Sequence, residues 1–243
     1  MLIILDKVDS TNTFLKDHFF EYPDATCIAA LEQTAGRGRL NRKWHQKAGD
    51  GIALSVALRK LETGFHAGVI VGLAALEVAR EALPDAELFF KWPNDLYCGD
   101  RKLAGILSEG IWKNGHFAGV VCGIGVNVNS DEESLASVGQ PATSFFVLSG
   151  QKFEIKNLLE RLEKSIVRHY IKYDRECARL LSDWRRENRL IGRVVELRFP
   201  DGKCIEAEFS GIDDDGNLIA RENGVTTVFR CGDVKILPFS GKA

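Results

Sequence analysis

Three short segments of this 243-residue chain hold residue types that could do chemistry. The first, Gly36-Arg37-Gly38-Arg39-Leu40-Asn41-Arg42-Lys43-Trp44, crowds three arginines and a lysine into a loop whose glycines bare backbone N–H groups. Guanidinium forks match the oxygen geometry of phosphates and carboxylates, so such a loop suits an anion. Trp44 adds a flat face on which an aromatic ring could stack. Taken alone, the loop is equally well read as a solvated basic turn. It is neither a Walker loop nor a dinucleotide fingerprint: the Gly-Lys-Ser/Thr ending is missing, and Asn41 stands where a third glycine would fall.

The second segment is Lys91-Trp92-Pro93-Asn94-Asp95-Leu96, followed by Arg101-Lys102-Leu103-Ala104-Gly105-Ile106-Leu107. Pro-Asn-Asp forces a reversal directly after a strand, which sets two lysines and a carboxylate close together. A plain hairpin needs the turn but not Lys91 and Lys102 beside Asp95. Lys102 precedes an apolar run, so its stem is expected to be half-buried with its ammonium aimed at a partner. The third segment, Gly123-Ile124-Gly125-Val126-Asn127-Val128-Asn129, places glycines in a β-like run. That pattern fits a close-approaching ligand, or a simple bulge.

The elements that must position these segments can be read from periodicity. Leu2 to Leu5 reads as a strand, Asp9-Ser10-Thr11-Asn12 as a choice of N-caps, and Phe14, Leu15, His18 and Phe19 as one helix face. Residues 26–31 and 51–59 are β-like, and a basic loop runs between them over 34–50. A buried helix is expected over 65–83, stopped by Pro84, with strands over 87–91 and 102–111 flanking a polar turn and another over 116–128. Leu158, Leu162, Ile166, Tyr170, Tyr173, Leu181 and Trp184 predict one or two amphipathic helices over 155–189. After Gly192, short β-rich runs alternate with turn signals at Pro200-Asp201-Gly202, 213–217, 222–224 and Cys231-Gly232-Asp233, which predicts a small barrel of about five strands. The expected division is a main domain over 1–189 and the barrel over 190–243. So small a barrel has a thin core and is expected to dock on the main domain.

Composition narrows the function classes. Thirty-two basic and thirty-four acidic residues nearly cancel, so the chain has no bulk positive field for nonspecific nucleic-acid or membrane binding. Cys27, Cys98, Cys122, Cys177, Cys204 and Cys231 form no Cys-x-x-Cys pair, and buried free thiols are expected in place of zinc or disulfides. His18, His45, His66, His116 and His169 show no ligand spacing and are read as structural or surface residues, with no dedicated metal site. Neither a signal peptide nor a membrane span is legible, so a cytoplasmic protein is expected.

In order and spacing, the Gly-Arg-Gly-Arg loop, the Lys-Trp-Pro-Asn-Asp turn with its downstream Lys-Leu-Ala-Gly-Ile-Leu, and the Gly-x-Gly-x-Asn run resemble the biotin protein ligases. The resemblance spans about Ser10 to Asn129 in motifs and matches the remaining layout more loosely. It implies an α+β fold, with a mixed sheet flanked by helices of the class II aminoacyl-tRNA synthetase type and a C-terminal SH3-like β-barrel. It also implies ATP-dependent formation of biotinyl-5′-AMP, release of pyrophosphate, and transfer of biotin to a lysine of a biotin carboxyl carrier domain of a carboxylase or decarboxylase. Asn41 stands where the family often has glycine, and asparagine tolerates a left-handed backbone. The chain opens directly on the first strand, without the helix-turn-helix domain of the repressor members, and no sequence-specific DNA binding is expected.

By matching positions, the resemblance implies that Lys102 neutralises the biotin carboxylate and the α-phosphate, and that Arg39 and Arg42, with Lys91, hold phosphates alongside magnesium carried by ATP. It puts Ser10, Thr11, Gln33, Gly36 and Arg37 at the ureido ring, with Gly105, Gly123 and Val126 beside ring and tail. Trp44, Asn94 and Asn127 fall on the adenylate side, and Asp95 is the group to orient or deprotonate the acceptor lysine. The basic loop is expected to close as a lid over the adenylate. Monomers and homodimers both occur among such ligases. The competing readings are a lipoate protein ligase, whose ligand lacks the ureido group, a noncatalytic module that binds biotin or a small anion, and a nucleic-acid binder, which the near-neutral charge disfavours.

Overall fold

A computed structural model describes residues 1–199, 202–230 and 232–236, with the side chains of Asn41 and Ile236 excepted. The expected corner at Pro200 and Asp201 and the thiol of Cys231 lie outside the described residues.

The chain begins with β1 (Leu2–Val8), α1 (Thr11–Asp17), β2 (Cys27–Gln33) and β3 (Gly51–Leu58). Ser10 is the N-cap of α1. The buried helix is α2 (Gly64–Ala82), capped by Thr63, whose hydroxyl accepts from the His66 N–H. Next come β4 (Leu88–Lys91), β5 (Asp95–Cys98), β6 (Arg101–Lys113) and β7 (His116–Asn127). The sequence led us to expect a single polar turn between strands over 87–91 and 102–111. The chain instead reverses twice, and Asp95 begins an extra strand between them. Two short helices, α3 (Glu132–Ala136) and α4 (Phe145–Ser149), were not expected. The long amphipathic segment is α5 (Ile155–Arg186), one helix interrupted by the non-helical backbone of Glu176.

The first seven strands form one mixed sheet in the order β1-β2-β3-β7-β6-β5-β4, in which β1 pairs with β2 in parallel and every other pair is antiparallel. Alternation along the central strands splits the sheet into two different faces. Ile52, Leu54 and Val56 of β3, opposite Val126, Ile124 and Cys122 of β7, belong to the core that α2 and α5 complete. On the other face lie Ala53 opposite Gly125 and Ser55 opposite Gly123, then Ala57 opposite Val121. Leu15 and Phe19, on and just past α1, cover only the Ala57 and Val121 end. The small residues beyond it are left as the floor of a cavity.

The remaining strands are β8 (Val194–Arg198), β9 (Cys204–Ile212), β10 (Leu218–Glu222), β11 (Val225–Phe229) and β12 (Asp233–Ile236), in one antiparallel sheet ordered β11-β10-β9-β8-β12. This small sheet docks through its 213–217 turn. Trp92 Nε1 donates to Gly216 O at 2.9 Å, His66 Nε2 to Asp214 O at 3.0 Å, and Arg185 Nε to Ile212 O at 3.0 Å. The tryptophan of the Lys-Trp-Pro-Asn-Asp motif is therefore a pin between the two sheets. Among the described cysteines all thiols are free, and Cys27 and Cys122 are buried, but Cys204 is exposed on the small sheet, against the expectation of burial. Among the described residues no helix is long and apolar enough to cross a membrane.

Candidate active site

A cavity of about 1000 Å³ opens over the small-residue floor. Its lining includes Ser10, Thr11, Gln33, Arg37, Arg39, Arg42, Trp44, Lys91, Asn94, Asp95, Lys102, Gly105, Gly123 and Asn127. Two expected residues are not part of the lining. Val126 alternates onto the opposite face, 4% exposed in the α2 core, so its side chain is not beside any ligand on the cavity side. Gly36 is buried beneath the arginine loop: its carbonyl accepts from Trp44 N–H at 2.9 Å, and a Cβ there would lie 2.6 Å from Trp44 O.

Lys102 reaches the cavity because β6 carries a bulge. Leu96 pairs with Ala104 but Tyr97 pairs with Lys102, so one extra residue, Leu103, is absorbed. Strict alternation would put Lys102 on the face of buried Ala104 and Ile106, and the bulge turns it to the side of Gly105 and Asp95. The ammonium sits 2.8 Å from Asp95 Oδ1 and 5.8 Å from the centre of the Trp44 ring. Gly105 has to be glycine-sized for this, since a Cβ would lie 2.9 Å from both Lys102 Cε and Nζ. A short segment outside the main sheet secures the Lys102 backbone, whose N–H donates to Pro141 O and whose carbonyl accepts from Thr143 N–H. Asn127, expected at the nucleotide, lines the cavity but spends its amide on Thr143 O at 3.0 Å.

The arginine loop folds as a hairpin strap. Gly38 N–H donates to Arg42 O at 2.7 Å, and Arg37 and Lys43 form a bridge around a 3-10 turn at Arg39–Asn41. The left-handed residue at its tip is Leu40, with φ 53°, and not Asn41. Trp44 lies over the floor, where a Cβ on Gly125 would fall within the indole. Arg39 donates to Asn94 Oδ1 at 3.2 Å and to Gly232 O at 3.3 Å, while Arg42 is 2.8 Å from Asp233 Oδ2. The small sheet thus contributes Asp233, with Arg198 and Lys235, to the mouth of the cavity. Lys91 stands on the same side, 3.3 Å from the Tyr97 hydroxyl. Burial pushes the Lys91 ammonium below the usual lysine range, Lys102 and Arg42 adding to it, and the carboxylates of Asp95 and Asp233 only partly restore it.

The opposite end of the cavity is lined by the neutral polar side chains of Thr11 and Gln33, with the Arg37 guanidinium beside them. Thr11 N–H donates to Gln33 Oε1 at 2.8 Å, and Ser55, wholly buried, lies 2.7 Å from the Thr11 hydroxyl and 2.6 Å from Asn12 Oδ1. Asn12 Nδ2 donates to Glu109 Oε2 at 2.9 Å, and Lys16 and Arg37 stand 2.7 and 3.3 Å from Glu109 Oε1. Burial alone would raise the Glu109 carboxyl, but Lys16, Asn12 and Arg37 hold it below the usual carboxylate range. Sequence reasoning missed Asn12, Ser55, Glu109 and Asp233. The signals were a lone carboxylate after the apolar Ile106 and Leu107, and an Asp233 read only as part of a turn. His45, expected to be structural or on the surface, lines the cavity, whereas His66 is a buried link between α5 and the 213–217 turn. Among the described residues no group of His, Cys, Asp and Glu could hold a metal ion.

Known proteins resemble the chain along nearly its whole length. Residues 4–127 match the Biotin/lipoate A/B protein ligase family and residues 190–236 the Biotin protein ligase C terminal domain. The bifunctional ligase/repressor BirA of Escherichia coli is 33% identical over 240 residues, covering 96% of this chain and 73% of that protein. The biotin--[acetyl-CoA-carboxylase] ligase of Mycobacterium tuberculosis is 33% identical over 217 residues, covering 87% of this chain and 79% of its own. The solved structure of the biotin protein ligase from Aquifex aeolicus in complex with biotin and ATP superposes with a TM-score of 0.80 at 26% identity, covering 96% of this chain and 97% of that one. The mixed sheet with its flanking helices and the small antiparallel sheet are the fold of those enzymes, and the chain belongs to the biotin/lipoate A/B protein ligase family.

Proposed function

We propose that this chain is a biotin protein ligase that makes biotinyl-5′-AMP from biotin and ATP, releases pyrophosphate, and transfers the biotinyl group to a lysine of a biotin carboxyl carrier domain. The observation that carries this reading is one continuous cavity with a basic end at Arg39, Arg42 and Lys91, the Lys102–Asp95 ion pair, and a neutral hydrogen-bonding end at Thr11 and Gln33. Relatives named as biotin ligases support the biotin substrate over lipoate, as does an Aquifex aeolicus enzyme with biotin and ATP bound. A neutral donor–acceptor end also suits a ureido ring better than an apolar dithiolane.

In this reading biotin lies with its ring at Thr11, Gln33 and Ser10 and its tail over Gly105 and Gly123, so that the carboxylate meets Lys102. The carboxylate oxygen attacks the α-phosphorus and the bond to pyrophosphate breaks. Lys102 offsets the charge that builds on the phosphoryl oxygens, while Arg39, Arg42 and Lys91 grip the departing phosphates. Trp44 shields the adenylate from water. The acceptor amine then attacks the carbonyl carbon, its proton passes to Asp95, and AMP leaves. Magnesium enters with ATP as part of that substrate and lends charge to its phosphates.

We read residues 1–189 as the catalytic domain and 190–243 as the small barrel, a division supported by the two separate sheets and the match over 190–236. A cytoplasmic setting belongs to the same reading, supported by the free thiols among the described residues. Pyrophosphate release from the purified chain with magnesium and ATP, with biotin or lipoate in parallel, tests the function. Release with biotin that is lost in Lys102→Ala is the expected result. Release with lipoate alone would transfer the chain to the lipoate ligases, and none with either would leave a binding module.

A further inference from the structure

The Ser55 and Thr11 hydroxyl protons face three contacts, at 2.6, 2.7 and 3.2 Å, and giving them to the two shortest fixes one direction behind the polar end of the cavity. The Asn12 amide faces two groups that can only accept, the Leu107 carbonyl at 3.2 Å and the Glu109 carboxylate at 2.9 Å, so both contacts require its NH2. Its Oδ1 must then be the atom 2.6 Å from Ser55 Oγ, and Ser55, with a single hydroxyl proton, donates there. The contact of 2.7 Å between Ser55 Oγ and Thr11 Oγ1 still needs a proton, and Thr11 supplies it there in preference to Gln33 Oε1, which lies farther off at 3.2 Å and already accepts from the Thr11 N–H. The Thr11 proton is thereby spent inside the protein, and the hydroxyl offers only lone pairs to the cavity. Gln33 is fixed in the complementary sense: its Oε1 accepts from Thr11 N–H, which leaves its N–H groups as donors. An acceptor beside a donor is the complement of the N–H and C=O edge of a cyclic urea.

We propose that Glu109 acts through Asn12 and Ser55 as a positioning residue that locks Thr11 as a hydrogen-bond acceptor, so that the pocket selects a ligand ring presenting N–H over one presenting only acceptor atoms or sulfur. Glu109 is the charged start of the chain and Ser55 its buried relay. Both lie behind Thr11, and neither is required to touch the ligand. Lys16 and Arg37 keep the carboxylate ionised, which keeps the Asn12 amide from turning over. The geometry also explains Gly123. A Cβ there would collide with Asn12 Oδ1 and lie 3.2 Å from Ser55 Oγ, so the relay can run along this face of the sheet only where β7 carries no side chain.

This inference rests on the reading of the cavity as a biotin site, and its test separates the two. Pyrophosphate release is followed with biotin and with isosteres in which one or the other ring N–H is replaced by oxygen, in wild type, Ser55→Ala and Glu109→Gln. In the wild type, the isostere that sets an oxygen against Thr11 is rejected, because acceptor faces acceptor. In Ser55→Ala the Thr11 hydroxyl is free to turn and donate, so the ratio of kcat/KM for biotin to that for the isostere falls by about tenfold. Glu109→Gln shifts the ratio in the same direction and raises KM for biotin, while KM for ATP stays put. Ser55 does not touch Arg37, so agreement between the variants excludes an effect through the strap. Variants that lose both ligands in equal proportion, or keep the wild-type ratio, overturn the relay while leaving the ligase reading intact. A wild type that releases no pyrophosphate with biotin overturns both.

Discussion

The Lys102 ammonium and the Asp95 carboxylate lie 2.8 Å apart in the cavity wall, with side chains only 14% and 12% exposed, and among the described residues Asp95 Oδ1 has no hydrogen-bond partner beyond this ion pair. Each group neutralises the other while the cavity is empty of substrate. A biotin carboxylate arriving at Lys102 competes with Asp95 for the same ammonium. In the proposed mechanism the activation step and the transfer step thus draw on the two halves of one pair.

Removing Lys102 therefore has two effects. Lys102→Ala is expected to slow biotin-dependent pyrophosphate release by about a hundredfold or more, as for loss of other transition-state donors. It also leaves Asp95 unpaired in a nearly buried position, which destabilises the fold by roughly 3 kcal/mol. The double variant Lys102→Ala, Asp95→Asn should recover most of the thermal midpoint and none of the activity. A double variant no more stable than the single one would show that the pair does not act as a unit.

The two halves are separable by assaying the steps apart. Asp95→Asn is isosteric and keeps an oxygen near Lys102, but it cannot take a proton from an amine. Transfer from preformed adenylate to the carrier domain should slow at least ten times more than adenylation, taking base catalysis as about 10²–10⁴-fold. Equal slowing of both steps would remove Asp95 from the role of base.

The residues proposed for both steps were legible in the sequence by type more readily than by direction. Lys102, Asp95 and the strap arginines announced themselves by charge density beside glycine and proline turns, and local residue type decides that much. Whether Lys102 points into the cavity depends on the bulge at Leu103, a mismatch in pairing with β5 that no single strand reveals. Register is equally hidden at Val126, which the resemblance implies to stand beside ring and tail and whose side chain alternation against β3 sends to the core. Helices α1, α2 and α5 and the five strands of the small sheet were readable because periodicity and turn residues are local, whereas the short α3 and α4 carried too little periodicity and β5 was lost inside what resembled one turn. Asp233 came from the far end of the chain. Its contact with Arg42 depends on the docking of the small sheet, which Trp92, His66 and Arg185 hold against the main domain.

The glycine floor gives a steric prediction. A methyl group at position 125 would intrude on the Trp44 indole, so Gly125→Ala must lift the ring from the sheet. Overpacking of this kind costs about 1–3 kcal/mol, and here it falls on the closed strap more than on the core. KM for biotin and ATP should rise together by roughly tenfold, as that energy implies, while the thermal midpoint changes little. The variant's Trp44 should also become easier to quench with acrylamide. A large loss of thermal stability with unchanged KM would mean that Trp44 is core packing and covers no ligand.

Lys91 gives a pH dependence of two opposite signs. Its folded pKa is lowered chiefly by burial, so at pH values between the lowered and the ordinary lysine pKa the unfolded chain binds more protons than the folded one. Stability from this group therefore rises with pH across that window, since burial penalises the ammonium and not the neutral amine. Phosphate binding runs the other way, because the neutral amine no longer attracts an anion. KM for ATP should climb on the alkaline side before surface lysines titrate, while the thermal contribution of Lys91, taken as the difference from Lys91→Met, moves in the chain's favour. Lys91→Arg keeps its charge throughout and should flatten the KM profile. An alkaline rise in KM that survives in Lys91→Arg would assign the titration to another group and leave Lys91 without a part in holding the phosphates.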